Sequence, residues 1–143
     1  MDMDIPEPGE KFHLISLSLV LNYVPDPVAR GAMLARLSDF LSLETPAGVV
    51  EMGLLPCVFL VLPLACVTNS RYFTEQRLAD IMHALGFRVS HQKASARLHY
   101  SLWTYDVQHV KASSFYFGKE ELRPGASRNN FCVTLRGGVQ DIC

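Results

Sequence analysis

Two dense apolar runs bracket one amphipathic helix, and that succession restricts the folds open to this chain more than any other feature. Phe12-His13-Leu14-Ile15-Ser16-Leu17-Ser18-Leu19-Val20-Leu21 is apolar at nearly every position and broken only by small serines and one histidine. A strand covered on both faces, as in a parallel sheet, reads this way. The turn Asn22-Tyr23-Val24-Pro25-Asp26-Pro27 ends it. From Val28 to Leu43 apolar residues recur at Val28, Met33, Leu34, Leu37, Phe40 and Leu41, close to helical spacing. Asp26 is placed to cap that helix and Pro27 suits its first turn, while Thr45-Pro46-Ala47-Gly48 stops it. Cys57-Val58-Phe59-Leu60-Val61-Leu62 is the second buried-strand candidate, closed by Pro63.

The alternation continues. Thr74 to Leu85 reads as a second helix with Thr74 as cap and Leu78, Ile81, Met82 and Leu85 as its apolar stripe. Gly86 stands where a C-terminal glycine belongs, and Phe87-Arg88-Val89 enters a third strand. Strand, helix, strand, helix, strand predicts βαβ units, hence an α/β domain with a mainly parallel sheet. Arg97 to Tyr105 and Asn130 to Leu135 alternate enough for further strands. The polar stretch between them, with Gly118, Pro124 and Gly125, predicts a surface loop.

Composition enters through charge and cysteine. The net charge is −1, so no bulk attraction to a polyanion follows. Residues 1–70, however, hold three basic residues against eight acidic ones, and residues 71–143 hold ten against six. A polyanion that binds should therefore meet the second half. None of the four cysteines forms a C-x-x-C pair, and no Cys/His cluster has zinc spacing, so no metal is expected. The thiols read as small hydrophobes of a reduced, intracellular protein. The acidic, proline-bearing first eleven residues lack the basic start of a signal peptide. The longest apolar run, Leu54 to Val67, has 14 residues and two prolines, too short to span a bilayer.

Ligands of open parallel sheets sit beyond the carboxyl ends of the strands. Two such ends are readable, at Ser16 to Tyr23 and at Leu62 to Tyr72. Asn22 and Asn69 each offer an acceptor and two donors suited to a base edge. Tyr23 and Tyr72 offer stacking faces, and Arg71 could pair a phosphate. From spacing alone, both asparagines read first as residues that hydrogen-bond their own turns. The five histidines are scattered, without i, i+4 pairing, and no nucleophile motif or P-loop occurs.

The segment from Lys11 to Pro25, KFHLISLSLVLNYVP, resembles the strand-four region of the 25S ribosomal RNA adenine-N1 methyltransferases, and Arg30-Gly31-x-Met33-Leu34 continues the likeness. A second block, Leu60-Val61-Leu62-Pro63-x-x-Cys66-Val67-x-Asn69-Ser70-Arg71-Tyr72, resembles their strand-five exit. Leu85-Gly86-Phe87 and Leu122-Arg123-Pro124-Gly125-x-x-Arg128-Asn129-Asn130-Phe131 also fit, so the resemblance covers about three quarters of the chain. Two departures stand out: residues 42–56 are longer and more apolar than the expected turn, and His13 replaces an aspartate.

The resemblance implies a Rossmann-like class I methyltransferase fold, S-adenosylmethionine (SAM) as methyl donor, an adenine N1 of large-subunit ribosomal RNA as target and a nucleolar address. It implies Ser18 and Asn22 at the reacting end, and Ser16, Leu17 and an aspartate, Asp2 with Asp4 as the other register, on the cofactor. It implies Asn69, Arg71 and Tyr72 on the RNA. Neither the glycine-rich turn nor the acidic residue that grips SAM in such folds has a counterpart here. The expectation is therefore one partial domain over residues 1–143, holding strands four to seven with flanking helices. A sheet lacking three strands leaves a long edge, which predicts a dimer or a partner half. The rival readings are a non-catalytic SAM-binding regulator on the same fold and an inactive truncated product.

Overall fold

The computed structural model describes residues 11–42, 56–106 and 114–137. Asp2 and Asp4, nearly all of the 42–56 stretch and Cys143 lie outside them. The described chain runs β1 (Leu14–Ser18), α1 (Pro27–Arg36), β2 (Cys57–Pro63), α2 (Leu64–Thr68), α3 (Glu75–Ala84), β3 (Phe87–Ala94), β4 (Leu98–Tyr105), β5 (Phe115–Phe117) and β6 (Leu135–Gly137).

Both long helices start where their caps put them. Asp26 Oδ1 accepts from the Ala29 amide at 3.0 Å, and Thr74 Oγ1 accepts from the Arg77 amide at 3.0 Å, each satisfying an otherwise orphaned helix N–H. Pro27 opens α1 with a φ already suited to helix. Gly86, at φ +96°, ends α3 in the left-handed region that side chains avoid. The first helix is shorter than its periodicity suggests: it stops at Arg36 and tightens into a 3-10 turn, Leu37–Phe40, that still buries Leu37 and Phe40.

The four-stranded sheet has the order β1-β2-β4-β3. It is mixed, which corrects the expectation of a mainly parallel one. β1 pairs in parallel with β2, but β4 is antiparallel to both β2 and β3. Strands β1, β2 and β3 therefore share one direction, and β4 is the reversed strand between the last two. The cause is local: only residues 95–97 separate β3 from β4, too few for a crossover, so the pair must be a hairpin. A bulge between Val89 and His91 shifts the register of β3.

Pairing sorts the sheet into two faces. Leu17, Val58, Leu60, Leu62 and Trp103 are buried with Leu78, Ile81 and Met82 of α3 in one core. His99 joins this face, buried, with Nε2 3.1 Å from Glu75 Oε2 on α3. The opposite face is open in part: Leu14 is 55% exposed, and Ser16 and Ser18 are exposed. β1 is thus not covered on both sides among the described residues, contrary to its apolar pattern.

Two further expectations are corrected. Asn130 to Leu135 is not a strand. Phe131, Cys132 and Val133 are buried there in irregular chain, and only Leu135–Gly137 pairs, with β5. That partner, β5, lies inside the stretch read as a loop.

Candidate functional site

The first strand exit turns sharply. Leu19 keeps its amide on Val61 O at 3.0 Å yet takes φ +58°, a left-handed conformation that a leucine adopts only at a cost. The chain then coils through a 3-10 turn, Leu21–Tyr23, anchored by the fully buried Leu21. The result leaves Asn22 with a buried Oδ1 that has no hydrogen-bond partner among the described residues. A buried acceptor left unmade costs about 1–3 kcal/mol and is rare enough to require an explanation. Tyr23, next to it, is 80% exposed. Of the residues assigned to this exit by sequence, Ser16 and Ser18 expose their side chains, while Leu17 is buried in the core and offers a ligand only its backbone.

The second exit is built differently. After Pro63 the chain forms the short α2 and then meets the segment from Leu122 to Phe131, more than fifty positions away. Asn69 Nδ2 donates to Ser127 O at 3.2 Å, and its Oδ1 accepts from Arg128 Nη1 at 2.8 Å. Arg71 reaches Asn130 Oδ1 at 2.6 Å and Gly125 O at 2.7 Å. Backbone bonds run between Arg71 and Asn129, and between Asn69 and Asn129. The Tyr72 ring carries the Lys119 ammonium 4.6 Å from its centroid. Asn69, Arg71 and Tyr72 thus stand together, but the polar groups of Asn69 and Arg71 hold the chain's own loop and the Tyr72 ring seats Lys119. The reading that the asparagine bonds its own turn is right in kind and wrong in partner.

Sequence reasoning missed the residue that anchors this loop. Arg123 donates from Nη1 to Ser70 O at 2.6 Å and Phe73 O at 3.2 Å, and from Nη2 to Val67 O at 3.2 Å. Ser70 Oγ bonds Phe131 O, and Asn129 Nδ2 bonds Ala65 O at 2.9 Å. A run of arginines and asparagines about a Pro-Gly pair was the available signal.

Arg30 ties the first exit to the same segment. Its Nε donates to Val24 O at 2.9 Å and its Nη1 to Cys132 O at 2.8 Å. Residues 122–132 therefore bridge both exits. The bridge is strongly cationic, with Arg30, Arg71, Arg123 and Arg128 held in fixed geometry. Burial pushes the Cys66 and Cys132 thiols above the ordinary thiol range, and nearby cations, Arg30 at both, work against it. Among the described residues no group of three His, Cys, Asp or Glu side chains could hold a metal. No helix among them is long and apolar enough to cross a membrane.

A family model described as 25S rRNA (adenine(2142)-N(1))-methyltransferase, Bmt2, matches residues 1–133. The chain is 37% identical over 127 residues to the Saccharomyces cerevisiae protein named 25S rRNA (adenine(2142)-N(1))-methyltransferase, covering 89% of this chain and 34% of that one. It is 37% identical over 131 residues to the Schizosaccharomyces pombe 25S rRNA adenine-N(1) methyltransferase, covering 90% of this chain and 44% of that one. It therefore spans between a third and a half of the length of these relatives. No solved structure matches.

Proposed function

The chain belongs to the 25S rRNA (adenine(2142)-N(1))-methyltransferase family, and from that premise we propose that it carries the target-facing part of an enzyme that methylates adenine N1 in large-subunit ribosomal RNA. The observation that carries this reading is the orphaned Asn22 Oδ1 at the β1 exit. Adenine presents an exocyclic N–H donor beside N1, and a buried amide oxygen is the acceptor that such a donor completes. Tyr23, largely exposed next to it, supplies a face against which an unpaired base can stack.

The reaction asks little acid–base work of the protein. The N1 lone pair lies in the ring plane of neutral adenine and is free to attack without prior loss of a proton. The residues must bind the base, exclude its pairing partner and align it, which is worth several kcal/mol through proximity alone. Asn22 fixes the amino edge, Ser18 stands exposed at the end of β1, and the 122–132 bridge holds the RNA side with a positive field. Asn69 and Arg71 act there by shaping the loop, and Tyr72 by seating Lys119. SAM, when bound, supplies an electrophilic methyl group on a sulfonium centre. The exposed Ser16 and Ser18 hydroxyls fit its polar groups, Leu17 fits only through its backbone, and Asp2 lies outside the described residues.

The finer fold assignment rests on direction. Strands β1, β2 and β3 run one way with β4 reversed between β2 and β3, and the three codirectional strands support part of a Rossmann-like class I methyltransferase sheet. Ribosome biogenesis and a nucleolar location follow from the substrate and are part of the same proposal.

The test is methyl transfer from SAM to 25S ribosomal RNA by a full-length relative altered at the position equivalent to Asn22. An alanine there should abolish N1-methyladenine formation while the protein stays folded. Unchanged methylation would remove Asn22 from the site and the reading with it.

A further inference from the structure

The sheet face turned away from α3 holds a trough of about 610 Å³, within the roughly 300–1,000 Å³ range of built ligand sites. Its floor is aromatic. Phe59 on β2 and Tyr100 on β4 lie with ring centroids 6.2 Å apart and planes 20° from parallel. Leu102 stands opposite Phe59 in the ladder, and both rings are only half-buried. The rim is polar and carries one cation: Lys93 pairs with Tyr100 and His91 with Leu102 across β3 and β4, and both are exposed. Residues 81–105, which form this hairpin and its approach, contain no aspartate or glutamate. Arg88 on the same strand meets its counterion, Asp106, only at 3.6 Å.

An apolar aromatic floor with the Lys93 ammonium and the His91 ring N–H donor at its rim favours a ligand with flat faces and a negative backbone over a purely apolar helix. We propose that this trough is a second RNA-binding surface, on which unpaired bases stack against Tyr100 and Phe59 while Lys93 and His91 meet the adjoining phosphates. Single-stranded nucleic acid is bound this way on exposed sheet faces. The trough lies on the sheet face between β2 and β3, with Phe59 in register with Ser16 of β1, and includes neither Asn22 nor the 122–132 segment. It rests on the reading that the protein's substrate is RNA, and it adds a place where the chain grips RNA away from the reacting adenine.

The experiment measures fluorescence anisotropy of a labelled single-stranded oligoadenylate RNA with the 143-residue chain at several salt concentrations. Lys93→Glu is a surface change that leaves the fold intact. It should weaken binding about tenfold and lower the salt dependence by about 0.7 in log–log slope for each phosphate no longer neutralised. Tyr100→Leu keeps the apolar volume but removes the ring face, and should weaken binding roughly fivefold or more, with Tyr100→Trp restoring it. Equal affinity for parent and both variants overturns the proposal, as does a parent chain that binds no RNA. If the variants change only the mass measured by light scattering, the trough is an interface between two copies and the proposal also fails. Methyl transfer by a full-length relative is read separately. Absence of that activity, with trough-dependent RNA binding intact, sinks the proposed reaction alone.

Discussion

The Arg30 guanidinium carbon sits 4.6 Å from the centre of the Phe131 ring, so one side chain on α1 stacks on, and bonds to, a segment a hundred residues later. Its fork also closes on Val24 O and Cys132 O. Three interactions from one planar cation cannot be reproduced by an ammonium. Arg30→Lys should therefore behave almost as Arg30→Ala, each destabilising by about 2–3 kcal/mol in urea unfolding. A lysine variant as stable as the parent would show that charge alone, and not the fork, matters here.

Gly31 makes the same junction possible. A Cβ built on it would lie 1.9 Å from Thr134 O, against backbone whose own amide is bonded to Pro27 O at 3.1 Å. In an exposed helix interior, replacing glycine by alanine gains about 1 kcal/mol. Here the sign reverses, because α1 must move off the 131–135 segment. Gly31→Ala should lower stability by about 1–3 kcal/mol and lower the melting temperature in a thermal scan. A gain would mean that the segment yields freely.

These two residues also show what the sequence makes readable. The helices were legible because Asp26, Pro27, Thr74 and Gly86 act within one turn of where they stand. The second strand exit was legible because its apolar run ends at Pro63, whereas β1 ends at Ser18, inside its apolar run, because Leu19 turns left-handed. The reversal of β4 is decided by a link of three residues, and was inferable only by weighing that length above the βαβ rhythm. Phe131, Cys132 and Val133 look like a strand because they are apolar. The Phe131 and Cys132 carbonyls bond Ser70 and Arg30 instead of a ladder, and no local pattern announces partners sixty or a hundred positions away. The same holds for Asn69 and Arg71, whose side chains bond residues 125–130.

Burial raises the thiol pKa of Cys57, Cys66 and Cys132 above the ordinary value of 9.0. The fold thus favours the neutral thiols over the ionised ones. Their contribution to stability is fully present below pH 9 and is lost as pH rises through the folded-state values, because the unfolded chain ionises first. Urea midpoints should stay level for these groups from neutral pH and fall in the alkaline range. Cys132→Val, which fills nearly the same volume in a 1% exposed site, should remove that residue's share of the fall. A variant with the parent's full alkaline slope would assign the loss to other groups.

Asn22 separates stability from function. Its Oδ1 is buried without a partner among the described residues, a desolvated acceptor that contributes nothing to their folding. Replacing the amide by an apolar group of similar shape, Asn22→Leu, removes that penalty and should leave the chain as stable as the parent or about 1 kcal/mol more stable. In a full-length relative the equivalent change should abolish methylation, because the base loses the acceptor for its amino edge. Strained or unsatisfied groups that a fold tolerates only for a ligand give this opposed outcome. Urea unfolding of the chain and methyl incorporation by the relative, measured side by side, decide it. If Asn22→Leu is clearly destabilising, the amide has a structural partner in the intact protein. The orphaned oxygen would then not be waiting for a base.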